Sequence, residues 1–180
     1  MPEIIPQIVG IVAVVVYLLS YQQKRRQGII IFNVISRVLY ILQYLLLGAF
    51  SGAALDVLGA VASVLAERKN TKFIKKHLKS VIISVNAVII VVGVIIAVLN
   101  KSFLDLLPIA GVLLHTGAFW MNDEKIIRRI SLIGSPFWLC YNFLSRAYGS
   151  AIGDALTIGS IIIAMIKYRD KKEAKKNEKS

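Results

Sequence analysis

The sequence is short of nearly everything from which soluble enzymes and disulfide-built proteins are made. It holds one cysteine, Cys140, so no intrachain disulfide can form. Its two histidines, His77 and His115, and its ten carboxylates fall into no HExxH, Walker or dinucleotide-glycine pattern, so a catalytic activity, a metal and a cofactor are all unexpected. Charged residues make up 18% of the chain, against about a quarter in ordinary soluble domains. What fills the space is apolar: 57% of the 180 residues are hydrophobic and the mean hydropathy is +0.69. That excludes a soluble globular domain and points to the bilayer, where roughly 20 apolar residues per crossing leave room for about seven helices.

The net charge of +12 would suggest nucleic acid in a soluble protein. Here the basic residues are bunched in short segments between uncharged runs, a pattern of membrane topology, and no nucleic-acid partner is expected. Uncharged runs predict spans at 5–21, 28–47, 50–66, 80–99, 105–121, 127–146 and 150–166. The residues ahead of the first run, MPEIIPQ, carry Glu3 and no basic residue, so this run is expected to be retained as a helix. All but three of the 22 basic residues lie on alternate loops: Lys24 to Arg26, Arg68 to Lys79, Lys125 to Arg129, and the tail from Lys167. By the positive-inside rule these loops are cytoplasmic, with the N-terminus outside and the C-terminus inside. The basic runs are read as solvated topology determinants in preference to specific lipid sites.

Sliding the chain against itself by about 101 positions aligns Gly10 with Gly111, Lys24 with Lys125, Tyr40 with Tyr141, and GAFSGAAL (48–55) with GSAIGDAL (149–156). Each copy holds three helices. A second copy joined directly would be inverted, and the fourth run, VIISVNAVIIVVGVIIAVLN with Asn86 as its strongly polar residue, has no counterpart in either copy. It reads as an inversion linker. The expected fold is therefore an all-α polytopic membrane protein of seven transmembrane helices in a 3+1+3 arrangement of parallel three-helix repeats. Its parts are a first repeat over 1–66, a basic loop over 67–79, the linker helix over 80–99, a second repeat over 105–166 and a basic tail over 167–180.

Segments such as LLPIAGVLLHTGAFW, PFWLCYNF and LQYLLLGAFSGAALDVLGA resemble the YgjV-type bacterial inner-membrane proteins, over nearly the whole chain. That family has no assigned activity, and the resemblance implies the bacterial inner membrane. In layout the chain is also similar to the SWEET sugar transporters and the PnuC vitamin transporters, although it carries no substrate motif of either.

Polar residues inside the spans are the candidate site. Arg37, nine residues from Gly28, lies about 13 Å into the second helix, near the middle of a core about 30 Å thick. An unpaired charge there costs about 3 kcal/mol or more, and helical rise brings Asp56 on the third helix within reach as a partner. Asn33, Ser36, Arg37, Tyr40, Gln43 and Tyr44 share one helix face; Ser131, Ser135, Trp138, Asn142 and Ser145 make the matching stripe on the sixth helix, where Trp138 aligns with Arg37. Two such stripes suit a midplane cavity between the halves, with Asn33, Arg37, Tyr40, His115, Trp138 and Asn142 toward substrate and Asp56, Pro136 and Asp154 in structural or coupling roles. The expectation is a transporter or facilitator of a small polar solute that works by rocking of two parallel bundles. The alternative is a non-transporting scaffold or accessory protein in which the stripes are helix-packing contacts. Nothing in the sequence counts subunits of an oligomer.

Overall fold

The computed structural model describes residues 4–46, 50–144 and 148–177, without the side chains of 7, 50–52, 142, 148–150 and 169–177. Eight α-helices follow in chain order: α1 (Ile4–Gln22), α2 (Arg26–Leu46), α3 (Phe50–Glu67), the short α4 (Lys72–Lys76), α5 (Leu78–Leu99), α6 (Leu106–Phe119), α7 (Glu124–Leu144) and α8 (Tyr148–Asn177). No strand occurs among the described residues. The GxxxG turns at Gly48 and Gly149, and Arg146, fall outside the described side chains.

Among the described residues four helices are long and apolar enough to cross a membrane: α1, α2, α5 and, within α8, Ala151–Tyr168. The other three expected spans are the ones with local conflicts. Helix α3 carries Asp56 and closes on Glu67, α7 opens with the charged run EKIIRR, and α6 has only 14 residues, about 21 Å of rise. Helix α8 does not stop at 166; its backbone stays helical through the basic tail to Asn177. Pro136 does not break α7, which runs through it as one helix, and the proline ring is exposed.

Helix α2 shows how the sequence builds these rods. Ile29, Ile30, Asn33, Ser36 and Arg37, spaced by three and four residues, are buried, whereas Ile31, Ile35, Val38 and Leu42 are exposed. The polar groups face in and part of the apolar surface faces out. That inversion is stable only where the surroundings are hydrocarbon.

Helix α1 packs on α2 and α8, α2 on α3, α3 on α6, α6 on α7 and α7 on α8, so six helices close into a ring; α5 lies against α3 and α6. The four basic segments meet at one end of this ring. There the Arg26 side chain reaches Glu67 and the carbonyls of Ala66, Phe119 and Met121, while Arg128 reaches the carbonyls of Tyr21 and Gln23. Thus α1, α3, α6 and α8 run toward this end, and α2 and α7 start from it. Just inside it, Tyr21, Ile29, Ile30, Ala66, Phe119 and Ile127 belong to a single apolar cluster that plugs the ring.

Candidate functional site

The site is assembled from α2 and α3 outward. Arg37 is 5% exposed, and its Nη1 donates to Asp56 Oδ1 at 2.8 Å while its Nε donates to Asn33 Oδ1 at 3.0 Å. The pair that helical rise allowed is made, and Asn33, one turn back on the same helix, completes it. A Cβ at Gly59 would collide with the guanidinium, so the bare α3 backbone one turn beyond Asp56 is what admits the arginine. Because Asn33 Oδ1 takes the arginine donor, the orientation of the amide is set, and Asn33 Nδ2, fully buried, is left without an acceptor among the described residues. An unsatisfied buried donor costs about 1–3 kcal/mol.

A second cluster bridges the two halves of the chain. His115 on α6 meets Tyr21 Oη at 2.9 Å and Tyr17 Oη at 3.3 Å through Nδ1, and Ser135 Oγ on α7 at 3.5 Å through Nε2. Ser135 gives its own hydroxyl proton to the Ser131 carbonyl at 2.9 Å. Its oxygen is then an acceptor, which selects the imidazole tautomer with the proton on Nε2 and leaves Nδ1 to accept from tyrosine. The histidine is 1% exposed. Asn33, Arg37, Tyr21 and His115 are all buried inside the same ring of helices, so both clusters share one interior.

The structure therefore brings Asn33, Arg37 and Asp56 into direct contact, sets His115 in a neighbouring cluster, and leaves Tyr40 beside them stacked on Tyr44 with ring centroids 6.3 Å apart. Trp138 is placed differently from its aligned partner Arg37. It packs over Gly111, edge-on to Tyr141, and against the apolar cluster of Ala62, Ile89 and Val112. The Asn142 side chain lies outside the described residues. Among the described residues no three His, Cys, Asp or Glu side chains come together as a metal would need.

Tyr17 and Tyr21 lie outside the two polar stripes that the sequence displays, and their signal in the sequence is a tyrosine pair four residues apart on α1. The basic loops are not uniformly solvated, contrary to the expectation from their composition. Lys69 and Arg128 are buried, not solvated, at 6% and 2% exposure, and Arg26 is half-buried beside them. Arg128 donates to Gln23 O at 2.5 Å and to Tyr21 O at 3.2 Å; Lys69 Nζ donates to the carbonyls of Trp120 and Met121. Helix ends leave carbonyls unsatisfied, and these cations fill that need. Burial and the nearby Arg26 charge hold the Lys69 ammonium below the usual lysine range.

An apolar-coated ring of helices, with its charged loops gathered at one end and its polar side chains turned inward, defines a multi-pass helical membrane protein. Residues 4–172 match the Imp-YgjV family, described as a bacterial inner membrane protein, and the chain belongs to it. No curated protein and no solved structure matches the chain.

Proposed function

We propose that this inner-membrane protein is a transporter or facilitator of a small polar solute, held here in a closed conformation, and that it has no catalytic activity. The observation that carries the reading is the buried Asn33 Nδ2, which has no hydrogen-bond partner among the described residues, beside the Arg37–Asp56 pair. Intramembrane ionisable groups are costly, and a free donor next to one is the chemistry a solute carbonyl, hydroxyl or carboxylate would complete.

The architecture we infer is seven spans as three plus one plus three, with a first bundle over 1–66, a linker helix over 80–99 and a second bundle over 105–166. Its support is an exchange of contacts between aligned helices. Arg26 at the start of α2 caps the end of α6, and Arg128 at the start of α7 caps the end of α1. Likewise α1 packs on α8 and α3 on α6. Aligned helices running in the same sense are what parallel repeats require. The basic end is taken as cytoplasmic, which puts the N-terminus outside and the C-terminus inside. Rocking of the bundles would open the apolar plug at that end.

A second reading is favoured by a specific observation: Arg37, Asp56 and Asn33 bind one another, and His115 is held by two tyrosines, so most of the polar groups are already satisfied by packing. A scaffold or accessory protein would have such a core. Uptake by proteoliposomes of a panel of sugars, nucleosides, vitamins and amino acids separates the two. The transport reading expects flux of at least one solute, abolished by Arg37→Ala in protein that still inserts and elutes as a single species. Absence of flux for every solute supports the scaffold.

A further inference from the structure

We propose that the groove between α7 and α8 at the basic end binds an anionic phospholipid of the surrounding leaflet. It is a cavity of about 420 Å³, within the range of small-molecule sites. Its two walls change character in the same direction. Along α7 the lining passes from Lys125 through Arg129 to Leu132, and along the antiparallel α8 from Tyr168 through Met165 to Ile162. Each wall turns from polar to apolar over about 10 Å of rise, which matches the passage from headgroup to acyl chain at a membrane surface. Charge complementarity names the occupant.

The back of the groove is Arg128, whose guanidinium stacks 4.5 Å from the Tyr168 ring centroid and spends two donors on the neutral carbonyls of Tyr21 and Gln23. Those acceptors hold the group without cancelling its charge. Among the described residues the acids near the groove are Asp123 and Glu124, whose carboxylates accept the backbone N–H groups of Lys125 at 2.7 Å and of Arg26 at 3.1 Å and form no salt bridge with Arg128. Among the described residues the ion pairs are Arg26–Glu67 and Arg37–Asp56, and neither involves Lys125 or Arg129. The cations Lys125, Arg128 and Arg129 over an apolar cleft fit a phosphate with one or two acyl chains lying along Ile162 and Ile166.

Native mass spectrometry of the detergent-solubilised full chain, with equal amounts of phosphatidylglycerol and phosphatidylethanolamine added, tests this. The expected result is preferential retention of phosphatidylglycerol, reduced about tenfold or more in Lys125→Gln/Arg129→Gln and unchanged in the control Lys72→Gln/Lys75→Gln. Ile166→Trp, which fills the cleft without altering charge, is expected to reduce retention as well. Equal retention of both lipids, an equal loss in the control, no effect of Ile166→Trp, or displacement of the lipid by millimolar inorganic phosphate would each overturn the proposal.

Discussion

Arg37 on α2 and Asp56 on α3 form a 2.8 Å ion pair in the interior of a membrane helix ring, reached across the bare backbone at Gly59. Removing one partner of a buried pair strands the other charge, which costs about 3–5 kcal/mol, whereas removing both is far milder. Asp56→Ala is therefore expected to lower the thermal unfolding midpoint in detergent strongly, and Arg37→Leu/Asp56→Ala to recover most of the loss. Equal destabilisation by the single and double variants would show that the pair is not what Arg37 depends on. Gly59→Leu, which displaces the guanidinium, is expected to cost about 1–3 kcal/mol by the same measurement.

The two tyrosines on His115 are not equivalent. Tyr21 sits at 2.9 Å and Tyr17 at 3.3 Å, so Tyr21→Phe is expected to lose more stability than Tyr17→Phe. Interhelical hydrogen bonds in membranes contribute about 0.6–2 kcal/mol, which bounds the larger effect. Thermal unfolding of the two variants side by side gives the order, and the reverse order would contradict the assignment of Tyr21 as the closer partner.

Arg26 and Arg128 cap each other's neighbouring half, and their deletions should fray different helices. Arg128→Ala is expected to raise amide hydrogen exchange around the last turn of α1, where the Tyr21 and Gln23 carbonyls lose their donor. Arg26→Ala should do the same at the ends of α6 and α3. Each charge-assisted contact contributes about 1.5–3 kcal/mol, enough for a clear change in local protection. Exchange that rises uniformly in both variants would mean global loosening instead.

Lys69 supplies a pH dependence. Its folded pKa is lowered by burial and by Arg26, so in the window below the ordinary 10.5 the unfolded chain binds more protons at this site than the folded one. Stability contributed by Lys69 must then rise with pH through that window. Compared with Lys69→Gln, the native chain should show a more positive slope of unfolding midpoint against pH between about pH 8 and 10.5. A slope that is more negative than that of the variant would invert the assignment.

Much of this molecule was readable from local quantities. The cost of moving charge into hydrocarbon singled out Arg37, the 1.5 Å rise per residue offered Asp56 as its partner, and the three- and four-residue spacing of Asn33, Ser36 and Arg37 identified the inward face of α2. Each of these depends on residues close in sequence or on a property of the solvent. What sequence could not supply was which helix ends meet. The basic loops looked solvated because local composition carries no trace of the carbonyls that Arg128 and Lys69 reach, 105 residues away for Arg128 to Gln23 and 51 for Lys69 to Trp120. Nor could sequence supply the neighbours of Trp138, which packs over Gly111 on α6 and against Ala62, Ile89 and Val112. The pairing of Tyr17 and Tyr21 with His115 spans more than 90 positions and exists only once the ring of helices brings α1 and α6 to face each other across its interior. Periodicity and transfer energy act along the chain, whereas caps and hydrogen-bond partners are created by the three-dimensional juxtaposition of helices.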